Sequence, residues 1–301
     1  MKSSIKNLII LLTCSVWTLS GCQSNLSGNL FPHTPTPTPV PASPTPTPTQ
    51  TATETQTPTP SPTATETLTP TPAFKTVPAG PVEVPILLYH HISSVIHYSR
   101  YNVDPAVFEE QIKWLSDNGY VTISISDLAT LILDGGQIPL HPVIISFDDG
   151  DMDVYQNAFP ILKKYGFTAT FYVVENYIGG KDMVTLNELT DLIQNGWEIG
   201  SHSKNHIALT TSGLDLANEI YYSKVDLQNK LGVTINTFAY PFGEINPNII
   251  DKTVNYGYTS AVGLGESIIH DRFSLFYLTR IEIRNAYGMD KFISYFPWRK
   301  P

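Results

Sequence analysis

Residues 80–301 alternate between runs of β-formers and amphipathic helical patterns, and that alternation predicts a single α/β domain built as a β/α barrel. Two further observations favour the barrel. His90, Asp148-Asp149, His202 and Tyr240 each fall where a strand-like run ends, and in a barrel those ends converge on the face that carries chemistry. No glycine-rich phosphate loop follows the first strand, which argues against an open doubly wound sheet. The length suits one large domain with a substantial core.

The elements follow in order. Residues 85–89 read as a strand. Asp104-Pro105 opens a helix to about Asp117, with Asp as N-cap and Pro in the first turn. Its apolar face is Val107, Phe108, Ile112 and Leu115, and Gly119 ends it. A short helix covers 126–133, and a buried strand covers 143–147. A helix from about Tyr155 to Lys164 stops at Gly166, and 168–174 is strongly β-like. Thr185-Leu186-Asn187-Glu188 is a helix start, closed by Gly196. Residues 198–200 form a strand, 214–231 a long helix, 237–240 a strand and 247–256 a helix. Residues 258–262 and 278–283 read as the last strands.

The N-terminal part sets an expected compartment. Lys2 and Lys6 precede an apolar stretch that ends in Leu19-Ser20-Gly21-Cys22, so residues 1–21 read as a lipoprotein-type signal and Cys22 as the lipid anchor. The stretch is too short for a comfortable membrane span. The chain has 2 cysteines, and Cys14 leaves with the signal, so no internal disulfide is expected. Residues 22–79 read as a linker dominated by Thr-Pro repeats, too poor in apolar residues to bury a core and therefore disordered. At ~3.1 Å per residue, an extended tether of this kind reaches on the order of 100 Å or more. A net charge of -9, from 18 basic and 27 acidic residues, argues against nucleic acid as a partner. A monomer, tethered to the membrane and exposed at the cell surface or wall, is expected.

The chemistry-bearing residues are few. Asp148-Asp149-Gly150 closes a strand, and Ser201-His202-Ser203-Lys204-Asn205-His206 follows another. A helical turn beginning at Ser201 would place His202 and His206 on one face. Two imidazoles and one carboxylate then make a three-ligand site with open positions, the pattern of a catalytic metal. Alone, Asp148-Asp149-Gly150 would be read as a turn; the histidine pair downstream favours the metal.

Ser146-Phe147-Asp148-Asp149-Gly150, His202-Ser203-Lys204-Asn205-His206 and Phe238-Ala239-Tyr240-Pro241-Phe242-Gly243 resemble, in order, the first three motifs of the polysaccharide deacetylases, the NodB-type carbohydrate esterases of family 4. The resemblance spans nearly all of residues 84–284. Leu87-Leu88-Tyr89-His90-His91-Ile92 is similar to the branch that deacetylates poly-N-acetylglucosamine. The resemblance implies a distorted (β/α)7, TIM-like barrel. It also implies Asp149, His202 and His206 as metal ligands, Asp148 as general base and His90 as general acid. Zinc is the default metal, with cobalt, nickel, manganese or iron(II) also suited to such ligands. Tyr240 and Phe242 would contact substrate, Phe242 offering a backbone N–H to the oxyanion, and Trp197 is a further candidate for sugar stacking. The family's arginine early in the third motif is absent here, where Phe238-Ala239 stands. Arg280 is the expected substitute, with a structural salt bridge as the competing reading.

A lone histidine is more often a hydrogen-bonded core residue than a catalytic one. His91 is expected in the wall of the site. His97, His141 and His270 lack supporting context, although His270-Asp271 superficially resembles the family's late histidine motif. The expected activity is removal of N-acetyl groups from acetylated polysaccharide. An O-deacetylase of acetylated xylan, a non-catalytic glycan-binding module and a non-haem iron(II) oxygenase are the alternatives.

Overall fold

The computed structural model describes residues 73–95 and 99–299. Residues 1–21, Cys22 and the linker up to residue 72 lie outside the described residues, as does His97. Among the described residues, no helix is long and apolar enough to cross a membrane.

Seven parallel strands form the barrel: β1 (Ile86–Tyr89), β2 (Pro142–Phe147), β3 (Thr170–Val173), β4 (Glu198–Ser201), β5 (Thr237–Ala239), β6 (Ser260–Val262) and β7 (Ile281–Glu282). Their order in space is β6-β5-β4-β3-β2-β1-β7. Beyond the seven-strand path, the chain before β7 pairs back onto β6: Leu278 bridges Val262, and Gly263 N donates to Leu278 O at 2.9 Å. The expected seven-stranded, distorted barrel is therefore what the chain builds.

Helices cover the outside: α1 (Pro105–Asp117), α3 (Phe159–Lys164), α4 (Leu186–Gln194), α5 (Ser223–Leu231) and α6 (Pro247–Asn255), with α7 (Met289–Ser294) at the end; α2 (Ile125–Asp134) is placed differently. Strand side chains alternate sides. Leu87, Tyr89, Val143, Ile145, Phe147, Phe171 and Val173 belong to one core with helix residues such as Phe108, Ile112, Leu162, Leu189 and Leu227. Ile86, Ile144, Tyr172, Ala239 and Val262 form a second core with Ile125, Leu128, Ala129 and Ile132 of α2. α2 thus packs onto the barrel interior. The first residue of β4, Glu198, accepts from Ile125 N at 3.0 Å, so α2 stands at the N-terminal ends of the strands. One end of the barrel is plugged, and the C-terminal end is left for chemistry.

Local signals account for most boundaries. Asp104 accepts from Ala106 N and caps α1, while Ser124 with Asp127 and Thr185 with Glu188 form capping boxes for α2 and α4. Two expected helices begin differently. The segment before α3 is π-helical over Val154–Ala158, and the segment before α5 is π-helical over Ala217–Tyr222 rather than α-helical from 214. The expected linker boundary also shifts. Phe74–Val77 forms a strand antiparallel to Gly136–Pro139, so these four residues, placed in the linker by composition, belong to the fold. A β-forming run beside an unpaired edge finds a partner that composition does not reveal.

Phe147 measures what the outer core contributes. It is fully buried, stacks on Trp197 at 5.7 Å and 12°, and touches Tyr89, Phe108 and Phe171. Phe147→Ala should lower unfolding free energy by about 3–5 kcal/mol, measured by urea denaturation; a loss well under 1 kcal/mol would contradict this packing.

Candidate active site

The alternation of β-strand side chains delivers the polar residues to one place. Ile86 faces inward, so Leu88 and His90 do too, and Ile144 carries Ser146 and Asp148 inward by the same parity. Leu88, His90, Asp148, Asp149, His202, His206, Tyr240, Phe242, Arg280 and Glu282 line one cavity of about 330 Å³, together with Arg100, Tyr101, Gly243 and Leu264.

Asp149, His202 and His206 are the one group among the described residues whose donor atoms all lie within 4.8 Å of one another in a pattern that can hold a metal ion. Asp149 Oδ1 lies 3.6 Å from His202 Nε2 and 3.4 Å from His206 Nε2. His202 Nδ1 donates to Ala239 O at 2.8 Å. A carbonyl only accepts, so Nδ1 carries a proton and Nε2 is the nitrogen turned toward the site. The donor set therefore fits a divalent metal with open positions. Burial, helped by the neighbouring His202, holds the His206 imidazole below its usual range and keeps it available as a neutral donor.

The histidines do not come together by helical spacing. Residues 202–206 form an irregular loop in which Ser203 (φ 67°) and His206 (φ 55°) are left-handed. The expected helical turn at Ser201 is absent, because Ser201 ends β4 and the chain must reverse sharply beyond it. Asp149 (φ 74°) and Phe242 (φ 60°) are left-handed as well. Four of the five non-glycine residues with such backbone among the described residues therefore sit in this site. Each costs roughly 1–3 kcal/mol unless its surroundings hold it. Gly150 (φ 94°) after the aspartate pair takes the next left-handed position without a side-chain penalty.

Asp148 is 3% exposed and Arg280 is 2% exposed. The guanidinium grips the carboxylate with both nitrogens, Nη1 to Oδ1 at 2.6 Å and Nη2 to Oδ2 at 2.7 Å, and its Nε donates to Gly263 O at 3.2 Å. Burial pushes the Asp148 carboxyl up, but Arg280 and then His202 pull it well below the ordinary carboxylate range. Tyr172 lies under the guanidinium at 5.3 Å. A Cβ on Gly200 would come within 2.4 Å of that ring, so the adjacent strand needs glycine there. Arg280 thus stands where it can steady Asp148, although it comes from the segment just before the last strand.

His90 packs on Tyr101 at 4.6 Å, and its Nδ1 is buried without a hydrogen-bond partner among the described residues. Burial lowers its pKa, partly offset by Asp148 and Asp149. Phe242 is 57% exposed and packs beside His206 at 4.6 Å with the rings tilted by 58°, presenting an open ring at the mouth. Tyr240 is 1% exposed and donates to Phe276 O at 3.0 Å, so it forms wall rather than platform.

Other candidates lie elsewhere. Trp197 is core against Phe147. His91 does not line the cavity; it bonds Asp153 Oδ2 at 3.1 Å, which raises its pKa, and lies 3.5 Å from Asp151, whose carboxyl burial pushes up to about 7. His141 stacks on Trp298, and the buried His270 donates to Val84 O at 3.1 Å; neither lines the cavity. Arg100, Tyr101, Leu264 and Glu282 escaped the sequence reading. They carry no motif, and only Glu282 had a usable signal, its position two residues after Arg280 on the same strand.

A family model described as polysaccharide deacetylase matches residues 136–261. YxkH of Bacillus subtilis (strain 168), a polysaccharide deacetylase by name, is 34% identical over 185 residues, which cover 60% of this chain and 64% of that protein. The poly-β-1,6-N-acetyl-D-glucosamine N-deacetylase of Staphylococcus aureus (strain MSSA476) is 28% identical over 209 residues, 64% of this chain and 72% of that one. The chain therefore spans a little under two thirds of the first relative and somewhat more of the second. Among solved structures, the Streptococcus pyogenes deacetylase PplD in complex with acetate is 27% identical with a TM-score of 0.66, covering 73% of this chain and 100% of that chain. The matched span holds Asp148, Asp149, His202, His206 and Phe242, and the barrel around them is like that of the solved deacetylase, so residues 136–261 are identified as a polysaccharide deacetylase domain.

Proposed function

We propose that the domain is a metal-dependent hydrolase that removes N-acetyl groups from polysaccharide containing N-acetylglucosamine. The observation that carries this reading is a fixed donor set beside a separate anionic base: Asp149, His202 and His206 converge on one point, while Asp148 stays ionised in the grip of Arg280. A divalent metal held there, zinc by default and cobalt, nickel, manganese or iron(II) by similar chemistry, supplies Lewis acidity toward water and toward the acetyl carbonyl. Asp148 accepts the proton of the attacking water. Arg280 keeps that carboxylate charged and oriented without competing for the proton, because a guanidinium does not give up its own. His90, on the neighbouring strand end, delivers a proton to nitrogen as the C–N bond breaks, so that acetate and a free amine leave. The Phe242 N–H, following a proline that has none, donates to the developing oxyanion, and the exposed Phe242 ring offers a face to a sugar.

The polymer class rests on the N-acetylglucosamine relative and on the early His90, which matches the same branch. The signal-like start, Cys22 and the Thr-Pro tether support a lipid-anchored domain that reaches polymer outside the cell.

On poly-N-acetylglucosamine, the metal-loaded protein should release acetate and new free amine in equal amounts. Acetate from acetylated xylan without new amine would reassign it as an O-deacetylase, and polymer binding without acetate from any substrate would make it a binding module. Asp148→Asn and His90→Asn should each lower kcat by ~10²–10⁴-fold with metal uptake retained. Loss of the metal in His90→Asn would make that residue a ligand instead.

Arg280→Met should act twice. It strands a buried carboxylate, lowering stability by about 3–5 kcal/mol in thermal or urea unfolding near neutral pH. It also removes the main influence that depresses the Asp148 pKa, so the acid limb of kcat/KM should move to higher pH. The native pair's contribution is present above the unfolded carboxylate pKa of ~3.9 and is lost as pH falls through the lower folded value; the gap between the proteins should therefore narrow in acid. An unmoved acid limb would remove Asp148 from the role of base.

A further inference from the structure

The loop that carries the two histidines makes no regular structure of its own, so its backbone groups must be satisfied from outside. His202 N donates to Val173 O at 2.9 Å and His206 N to Ser203 Oγ at 2.9 Å. Ser203 O and Lys204 O accept from Glu175 N and Asn176 N, each at 3.1 Å. Three further contacts of the loop converge on one residue. Glu219 accepts from Asn205 N at 2.9 Å through Oε2 and from Asn205 Nδ2 at 2.6 Å through Oε1, and its carbonyl accepts from Lys204 N at 3.1 Å.

Glu219 is 1% exposed and sits in the π-helical segment Ala217–Tyr222. Among the described residues no basic side chain pairs with it, and the only other hydrogen bond to its carboxylate comes from Asn218 Nδ2 at 3.4 Å. A buried carboxylate without a cation is costly, and its chemistry explains why it is there. Both groups that Asn205 turns toward it are donors, and a carboxylate accepts through both oxygens, whereas an amide offers one acceptor and one donor. Asn205 in turn accepts from Asn176 Nδ2 at 2.6 Å. The residue so clamped lies between two left-handed positions, Ser203 and His206, and directly precedes the second histidine.

We propose that Glu219 is a positioning residue for the metal loop: by holding Asn205 at both backbone and side chain, it keeps His206 in its left-handed conformation, with Nε2 aimed at the point His202 also faces. This rests on the assignment of His202 and His206 as metal ligands in the function proposed above. From the π-helical segment Glu219 reaches the loop while its neighbour Ile220 remains in the core.

The test is a cobalt(II) titration of the metal-free full chain by calorimetry, with thermal unfolding of the same samples. Glu219→Gln sets an amide N–H₂ against the Asn205 amide and should weaken cobalt binding about 10–100-fold. Adding Asn205→Asp restores an acceptor opposite that amide and keeps the bond from Asn176, so the double variant should recover most of the affinity; a general packing defect would not be repaired this way. Asn205→Ala removes the side-chain half of the clamp without touching the core and should weaken binding in the same direction, which keeps the test open should Glu219→Gln fail to fold. Wild-type affinity in either single variant, or no recovery in the double variant, overturns the proposal. Failure of the wild-type chain itself to bind cobalt overturns the ligand assignment, and the positioning role falls with it.

Discussion

Asp148 and Arg280 meet inside the barrel as a two-bond fork, both almost fully removed from water. Neither charge is tolerable there alone, since an unpaired buried ion costs several kcal/mol. The pair spans the sheet, with Asp148 following β2 and Arg280 preceding β7 on the far side of β1. Around it, Tyr172 fills the interior beneath the guanidinium, and Gly200 leaves that ring its space. The segment holding Arg280 also pairs with the chain after β6, so the residue that keeps Asp148 ionised lies in the stretch that joins the two ends of the seven-strand sheet. The closure of the fold and the charge state of Asp148 thus share one contact.

A second constraint acts at the rim. The site needs donor atoms from separate loops aimed at one point, and regular structure does not supply that aim. Left-handed backbone at Asp149, Ser203, His206 and Phe242 does. Such conformations persist only when neighbours hold them, and the neighbours are visible: Ser203 Oγ on His206 N, Ala239 O on His202 Nδ1, and the chain after β3 bonding the carbonyls of the histidine loop. Glu175 anchors that latter segment, with Lys230 and Lys204 against its buried carboxylate. Strain at these rim residues is offset by hydrogen bonds one layer out.

Much of the fold was legible in the chain because its signals are local. Asp104-Pro105 and Thr185 with Glu188 mark helix starts by capping chemistry that acts within four residues. Runs dominated by apolar residues, such as 143–147, mark buried parallel strands, since both faces are covered. The same locality explains the misreadings. His202 and His206 stand four apart, which implies a helical turn to any local rule, yet Ser201 belongs to β4 and the loop beyond answers to Glu219, Glu175 and Asn176. Phe74–Val77 was lost in a linker because its partner strand, Gly136–Pro139, lies some sixty residues away in the chain.

By itself, the amino-acid order determined the alternation of strands and helices, and with it the inward parity that carries His90, Asp148 and Arg280 to the interior, because a strand's period of two is a property of the backbone. It also determined the chemical types available to a metal and to a proton. Which groups meet was decided by tertiary structure: Arg280 on Asp148 from 132 residues away, Tyr101 against His90, and Phe242 beside His206. The physical reason is that these contacts depend on barrel closure and on loops whose backbone partners come from other elements, and no spacing within a short stretch of chain encodes either.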